Sequence, residues 1–146
     1  MISKEGAIRR FVRAYDIPVP RELVEEEYHL CVMDMKHKMV YGQMAGSHNM
    51  NPMEQAEALK ESQEELMEVA YLSVKEDLVM KDVIAKGDFT VTPEELRQYA
   101  EAMAKRQNTT IEMVKRFFGE DFSLLAGDVK RQKAEDWIYQ QVLQNS

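Results

Sequence analysis

A few side chains in the second predicted helix have types and spacing that could bind a metal ion. Glu26 and His29 are three residues apart, the spacing with which helical bundles present a carboxylate and an imidazole to one metal. Such a site needs a second copy on a facing helix, and the nearest match, Asp34 with His37, lies on the same predicted helix. The pattern therefore favours a solvated helix surface, and we predict no metal site.

The other histidine, methionine and cysteine side chains of this helix favour neither a soft-metal site nor a catalytic nucleophile. His29, Met33 and His37 follow one another at helical spacing, yet scattered surface or core side chains are the more common interpretation. Cys31 lies on the apolar side of the same helix, and the sequence places no general base beside it. The chain also lacks a glycine-rich phosphate loop. We therefore predict no catalytic residue, no cofactor and no enzymatic activity.

Composition and charge limit the class of protein. The 146 residues are 45% apolar and 31% charged, which predicts one ordinary domain over residues 1–146. The net charge of −7 disfavours direct contact with nucleic acid. A single cysteine cannot form an internal disulfide, and there is neither a secretory signal nor a run of 18 apolar residues. These features predict a cytoplasmic protein without a membrane contact.

The spacing of apolar residues predicts an all-α fold. Helices are expected over approximately residues 3–15, 20–43, 52–86, 92–107, 110–118 and 121–144. The second of these has a predicted apolar stripe at Val24, Tyr28, Cys31, Met35 and Met39, with Leu23, Leu30 and Val32 alongside. The strongest local signal is the capping box Thr92-Pro93-Glu94-Glu95, and the alternating segment 88–92 before it is predicted to be a linker. A helix over 52–86 would be about 50 Å long. It predicts an elongated body with a projecting helical hairpin, whose tip would fall at residues 42–52.

Methionine is the unusual residue, because eight of its 11 copies fall between residues 33 and 80. One interpretation is that they fill an irregular helical core, which we favour for Met35, Met67 and Met80. The other is that flexible thioethers form an adaptable binding surface, which we favour at the end of the second helix and in the loop. Trp137 and Phe118 are expected to be buried. The candidate binding residues are Tyr28, Met35, Met39, Met44, Met50, Met53 and Met67.

Two segments carry a resemblance to a known family. The first reads Ala7-Ile8-x-x-Phe11-Val12-x-x-Tyr15-Asp16-Ile17-x-Val19-Pro20-x-x-Leu23-Val24-x-x-Glu27. The second reads Leu78-x-x-x-x-x-Ile84-Ala85-Lys86-Gly87-x-Phe89-x-Val91-Thr92-Pro93-Glu94-Glu95-Leu96. These segments resemble the carboxy-terminal domain of bacterial trigger factor. The likeness rests on the order, length and pattern of the elements over nearly the whole chain. The helical body is also similar to part of the SurA-type chaperones.

The resemblance implies a helical chaperone that shields apolar segments of unfolded or nascent polypeptides without ATP. It does not imply ribosome docking or prolyl isomerase activity, because 146 residues leave no room for the two domains that carry them in trigger factor. We therefore expect an ATP-independent holdase whose clients contact the methionine-rich surface. The alternative is a helical assembly module that uses the same surface for one dedicated partner or for a homodimer.

Overall fold

The structure is a computed structural model that describes residues 2–44 and 51–145, and the side chains of residues 42–44 are not among the described ones. Its elements are α1 (Lys4–Ala14), α2 (Arg21–Met44), α3 (Pro52–Glu61), α4 (Gln63–Gly87), α5 (Pro93–Arg106), α6 (Ile111–Phe118), a 3₁₀ turn (Ser123–Leu125) and α7 (Ala126–Gln144). The described part of the chain contains no strand. The all-α prediction is confirmed, whereas the elongated shape and the hairpin stay predictions.

The helix predicted over residues 52–86 is in fact two helices, α3 and α4, separated by Ser62. The backbone N–H of Ser62 donates to the Ala58 carbonyl at 3.1 Å, and the Leu66 N–H donates to the Ser62 carbonyl at 2.8 Å. Because both bonds have the i to i−4 spacing of an α-helix, the interruption is confined to one residue. Neither glycine nor proline marks this position, so the sequence pattern contained no signal for it.

Helix α5 begins at the predicted capping box. The Glu95 N–H donates to Thr92 Oγ1 at 3.2 Å, and Glu95 Oε1 accepts from the Thr92 N–H at 3.1 Å. Lys133 of α7 adds an ion pair to Glu95 Oε2 at 2.6 Å, and its ammonium also donates to the Thr90 carbonyl. The same lysine therefore holds the start of α5 and the irregular segment 88–92, which is a linker as predicted.

The Glu95 carboxylate should make stability depend on pH. Hydrogen bonds from Lys133 and the Thr92 backbone hold the pKa of Glu95 below its ordinary value near 4.5. A lowered pKa stabilises the folded state above pH 4.5, and that contribution is lost as the pH falls through the lowered value. We expect Glu95→Gln to reduce the melting temperature at pH 7, with a difference from wild type that shrinks in acid.

Thermal unfolding followed by circular dichroism at several pH values checks this expectation. The control is Glu94→Gln, which removes an exposed carboxylate from the same helical turn. An equal decrease in melting temperature in the two variants at pH 7 would contradict this expectation, because it would show that the Lys133–Glu95 contact adds no stability of its own.

Contacts between Cα atoms divide the chain into two compact units. The terminal unit comprises residues 1–11 and 80–146, and the middle unit comprises residues 12–79. The prediction of one domain over residues 1–146 stays a prediction. In the terminal unit, α5, α6, α7 and the 3₁₀ turn pack together. One core cluster there consists of the buried residues Ala100, Met103, Ala104, Val114, Phe122 and Leu125.

Two aromatic residues of the terminal unit are less buried than expected. Trp137 is 42% exposed, and its ring meets Phe11 edge-on with 6.0 Å between the ring centroids. Phe118 is half-buried at the end of α6. Ile138, the next residue after Trp137, is fully buried. Consecutive helical residues point about 100° apart, so the two neighbours cannot both face the centre of the core. The prediction that Trp137 is buried was wrong for this reason.

Candidate apolar binding surface

The middle unit contains α2, α3 and most of α4, and it carries an excess of acidic residues. Helices α2 and α3 contact each other. Residues 12–79 include 14 Asp and Glu side chains against six Lys and Arg. One buried cation, Lys75, donates to the backbone carbonyl of Arg13 at 3.2 Å. Arg13 belongs to the last turn of α1, where carbonyl groups lack helical partners. Lys75 therefore satisfies one of these groups from α4.

The predicted apolar stripe of α2 is its inward face. Val24 is buried, and Tyr28, Cys31, Met35 and Met39 are half-buried. Their spacing of three and four residues places them on one side of the helix. The sequence thus predicted correctly which side of α2 is the more buried.

The opposite side of α2 is also apolar, and it is exposed. Leu30, Met33 and Val40 are all exposed, and Met33 has 64% of its surface in solvent. His37 occupies the remaining position in this line, and its ring lies 5.8 Å from that of Tyr41, which is exposed as well. Positions 30, 33, 37 and 40 are three or four residues apart, so their side chains follow one line along the helix. Large apolar groups therefore occupy both sides of α2.

Helices α3 and α4 also carry exposed apolar side chains. Asn51 caps α3, because its Oδ1 accepts from the Glu54 N–H at 2.8 Å, and this fixes the first turn that carries Met53. Met53 is 73% exposed. On α4, Met67 and Tyr71 are one turn apart, and both are exposed. We define the exposed apolar set of the middle unit as Leu23, Leu30, Met33, Val40, Tyr41, Met53, Met67, Val69 and Tyr71.

The candidate binding residues predicted from the sequence differ in exposure. Met53 and Met67 belong to the exposed apolar set, whereas Tyr28, Met35 and Met39 are half-buried. The side chain of Met44, the whole of Met50 and most of the predicted hairpin tip lie outside the described residues. The core interpretation is right for Met80, which is 1% exposed, and wrong for Met67. The role of all seven candidates in binding stays a prediction.

Sequence reasoning missed part of the exposed apolar set, because it assigned a single apolar side to α2. Leu30 was placed alongside the inward stripe, and Met33 was considered as a metal ligand and counted among the clustered methionines without being assigned to the binding surface. The helical period contains the missing signal, since Leu30, Met33 and Val40 repeat at intervals of three and seven residues. That line is rotated by about half a turn from the line through Val24 and Cys31.

The groups considered for chemistry at the outset all lie along a single helix. Glu26, His29, Asp34 and His37 are all exposed on α2. Across the described residues, no group of three or more His, Cys, Asp or Glu side chains is arranged to hold a metal ion. Burial, with smaller contributions from Glu27 and Asp34, raises the pKa of the Cys31 thiol above its ordinary value. A raised pKa keeps the thiol protonated and therefore weakly nucleophilic at neutral pH.

Two cavities lie between α5 and α7 in the terminal unit, with volumes of about 470 and 400 Å³. They share Tyr99, Ala102 and Gln132 as lining residues. Apart from Gln98 and Val129, the other lining residues are charged, with side chains of both signs that include the Arg131–Glu135 ion pair. This lining does not match an apolar ligand. None of the described helices combines the length and apolarity needed to cross a membrane.

Exposed apolar side chains on a helical fold are common in domains that contact other molecules. In a comparison with known protein families, the model of the bacterial trigger factor protein (TF) C-terminus matches residues 3–140. The chain belongs to this family.

Two relatives are named trigger factor. The trigger factor of Caldicellulosiruptor saccharolyticus is 23% identical over 137 residues, which cover 93% of this chain and 31% of the relative. That of Carboxydothermus hydrogenoformans is 24% identical over 131 residues, which cover 90% of this chain and 30% of the relative. The chain therefore spans about a third of the length of these relatives. No solved structure matches the chain significantly.

Proposed function

We propose that the chain is an ATP-independent, holdase-type chaperone that binds apolar segments of unfolded or nascent polypeptides. The observation that carries this proposal is the exposure of large apolar side chains on α2, α3 and α4, above all Met33 and Met53. Apolar surface that a folded chain leaves in water gains about 25 cal/mol per Å² when a client covers it. An unfolded polypeptide, whose own apolar residues are also in water, is the partner that gains most from such a contact.

The residue types of the exposed apolar set suit clients of unrelated sequence. Met33, Met53 and Met67 have flexible, polarizable side chains that can adapt to differently shaped partners. Tyr41 and Tyr71 add large rings whose hydroxyl groups tolerate water. Surfaces of this composition favour weak and broad binding over selection of one partner.

The acidic excess of the middle unit supports the same proposal. The unit combines 14 acidic and six basic residues with exposed apolar side chains that could otherwise associate with those of another copy. Net charge of one sign keeps proteins soluble and apart. The charge therefore lets the unit expose apolar groups, and it would keep a complex with an aggregation-prone client in solution.

Membership of the trigger factor C-terminal family supports a chaperone-related role. The proposal extends only to what this chain's own surface can do, because the matched region is about a third of each relative. It includes no catalytic step and no nucleotide. Within the candidate site, we assign direct client contact to the exposed residues Met53 and Met67, and a supporting position to the half-buried Tyr28, Met35 and Met39.

The test is suppression of aggregation of two unrelated denatured proteins, measured by light scattering at increasing concentrations of the chain without nucleotide. We expect dose-dependent suppression of both clients, because recognition depends on apolar surface and not on one sequence. Suppression of neither client would contradict the proposal. It would favour the alternative in which the same surface serves one dedicated partner or a homodimer.

A further inference from the structure

The described methionines differ widely in exposure. Met33 and Met53 have most of their surface in solvent, whereas Met80 is almost fully buried and Met103 is buried in the core of the terminal unit. The thioether sulfur is the same group in each case. The fold therefore determines which of these sulfur atoms a small solute in water can reach.

We propose that Met33 and Met53 are sites of reversible oxidation by peroxides, and that this modification lowers the affinity of the middle unit for apolar polypeptide. The second half of this inference rests on the proposed function. The first half depends only on exposure, and it can be tested on its own.

The modification is a transfer of one oxygen atom. A lone pair of the methionine sulfur attacks one oxygen of hydrogen peroxide, the S–O bond forms, the O–O bond breaks, and the second oxygen leaves as water after proton transfer. The sulfur loses two electrons and the peroxide gains them. In the reverse reaction, a dithiol of a methionine sulfoxide reductase supplies two electrons and becomes a disulfide, and the sulfoxide oxygen leaves as water.

Oxidation at these positions changes the character of the surface. A sulfoxide is polar and accepts hydrogen bonds from water, so covering it with an apolar client carries a desolvation cost. Met33 lies between Leu30 and Val40 on the exposed line of α2. A sulfoxide there would interrupt the line at its centre. At Met53 it would place a polar group on the first turn of α3.

Cys31 is another oxidisable sulfur of the middle unit, and its contribution can be separated. Its raised pKa lowers the fraction of reactive thiolate at neutral pH. The experiment uses Cys31→Ser as the background for every protein, so that thiol oxidation cannot account for any change. Circular dichroism first confirms that this background retains its helices.

The test compares this background with a variant that also carries Met33→Leu and Met53→Leu, which keeps both positions apolar but removes their two sulfur atoms. Both proteins are treated with hydrogen peroxide. Peptide mass spectrometry then gives the rate of oxidation of each methionine. Fluorescence anisotropy with a labelled, permanently unfolded polypeptide gives the affinity before treatment, after treatment and after incubation with methionine sulfoxide reductase.

We expect Met33 and Met53 to be oxidised several-fold faster than Met80 and Met103. Treatment should weaken binding by the background protein about fivefold or more, because two polar groups enter the surface. The reductase should restore binding, and the leucine variant should be largely unaffected by peroxide. Similar oxidation rates at exposed and buried methionines would overturn the proposed sites.

An equal loss of affinity in the leucine variant would overturn the proposed effect on binding, and so would unchanged affinity in the oxidised background. If the untreated proteins do not bind the polypeptide at all, the proposed function fails and the effect on binding fails with it. The oxidation rates still decide whether Met33 and Met53 are the sites.

Discussion

Replacing Leu30, Met33 and Val40 together with serine should weaken binding of an unfolded polypeptide about tenfold or more, which corresponds to about 1.4 kcal/mol. The three side chains form the exposed line of α2, and each loses the apolar surface that a client would cover. Because they are exposed in the free protein, the substitutions should leave the fold nearly unchanged. Fluorescence anisotropy measures the affinity, and circular dichroism measures the helix content and melting temperature.

The matched control removes the same number of exposed apolar residues from the terminal unit. Met113, Phe117 and Leu124 are exposed there, on α6 and the following 3₁₀ turn. We expect their replacement with serine to leave affinity close to that of wild type. Equal losses in the two triple variants would mean that binding does not depend on the exposed apolar set of the middle unit. Unchanged affinity in the α2 variant would contradict the proposed site directly.

A second large effect is expected in the core of the terminal unit. Leu125 is fully buried in the cluster with Met103, Val114 and Phe122. Leu125→Ala removes buried methyl and methylene groups and leaves a cavity, so we expect the free energy of unfolding to fall by about 2–5 kcal/mol. Urea unfolding monitored by circular dichroism measures the change.

The preceding residue provides the control for this substitution. Leu124 belongs to the same 3₁₀ turn but is 70% exposed, so Leu124→Ala makes the same chemical change in water. We expect a change within about 0.5 kcal/mol. A loss below about 1 kcal/mol for Leu125→Ala, or similar losses for the two neighbours, would contradict the packing described for this unit.

Local sequence signals predicted the helices well where a short motif determines the structure. The capping box at Thr92 and Glu95 depends on residues within one helical turn, and its hydrogen bonds are those expected. The predicted start at Pro52 agrees with α3, whose first turn is capped by Asn51 in the structure. By contrast, the interruption at Ser62 has no glycine or proline to mark it, so it could not be anticipated from the pattern.

The candidate site was predicted only in part, because helical period shows which residues share a side but not which side is covered. Val24 and Met35 were correctly placed on one side of α2. Met33 and Val40 share another side that is equally apolar, and only the packing of the other helices determines which of the two is exposed. The same limit explains Trp137, whose burial was overestimated, whereas the adjacent Ile138 is fully buried.

The most direct test of the proposed site is nuclear magnetic resonance of protein labelled with ¹³C at its methionine methyl groups. Each signal can be assigned with single Met→Leu variants and followed during addition of a permanently unfolded polypeptide. We predict shifts or broadening at Met33, Met53 and Met67, with the signals of the buried Met80 and Met103 nearly unchanged. Absence of any change, or changes confined to the terminal unit, would contradict client binding on the middle unit.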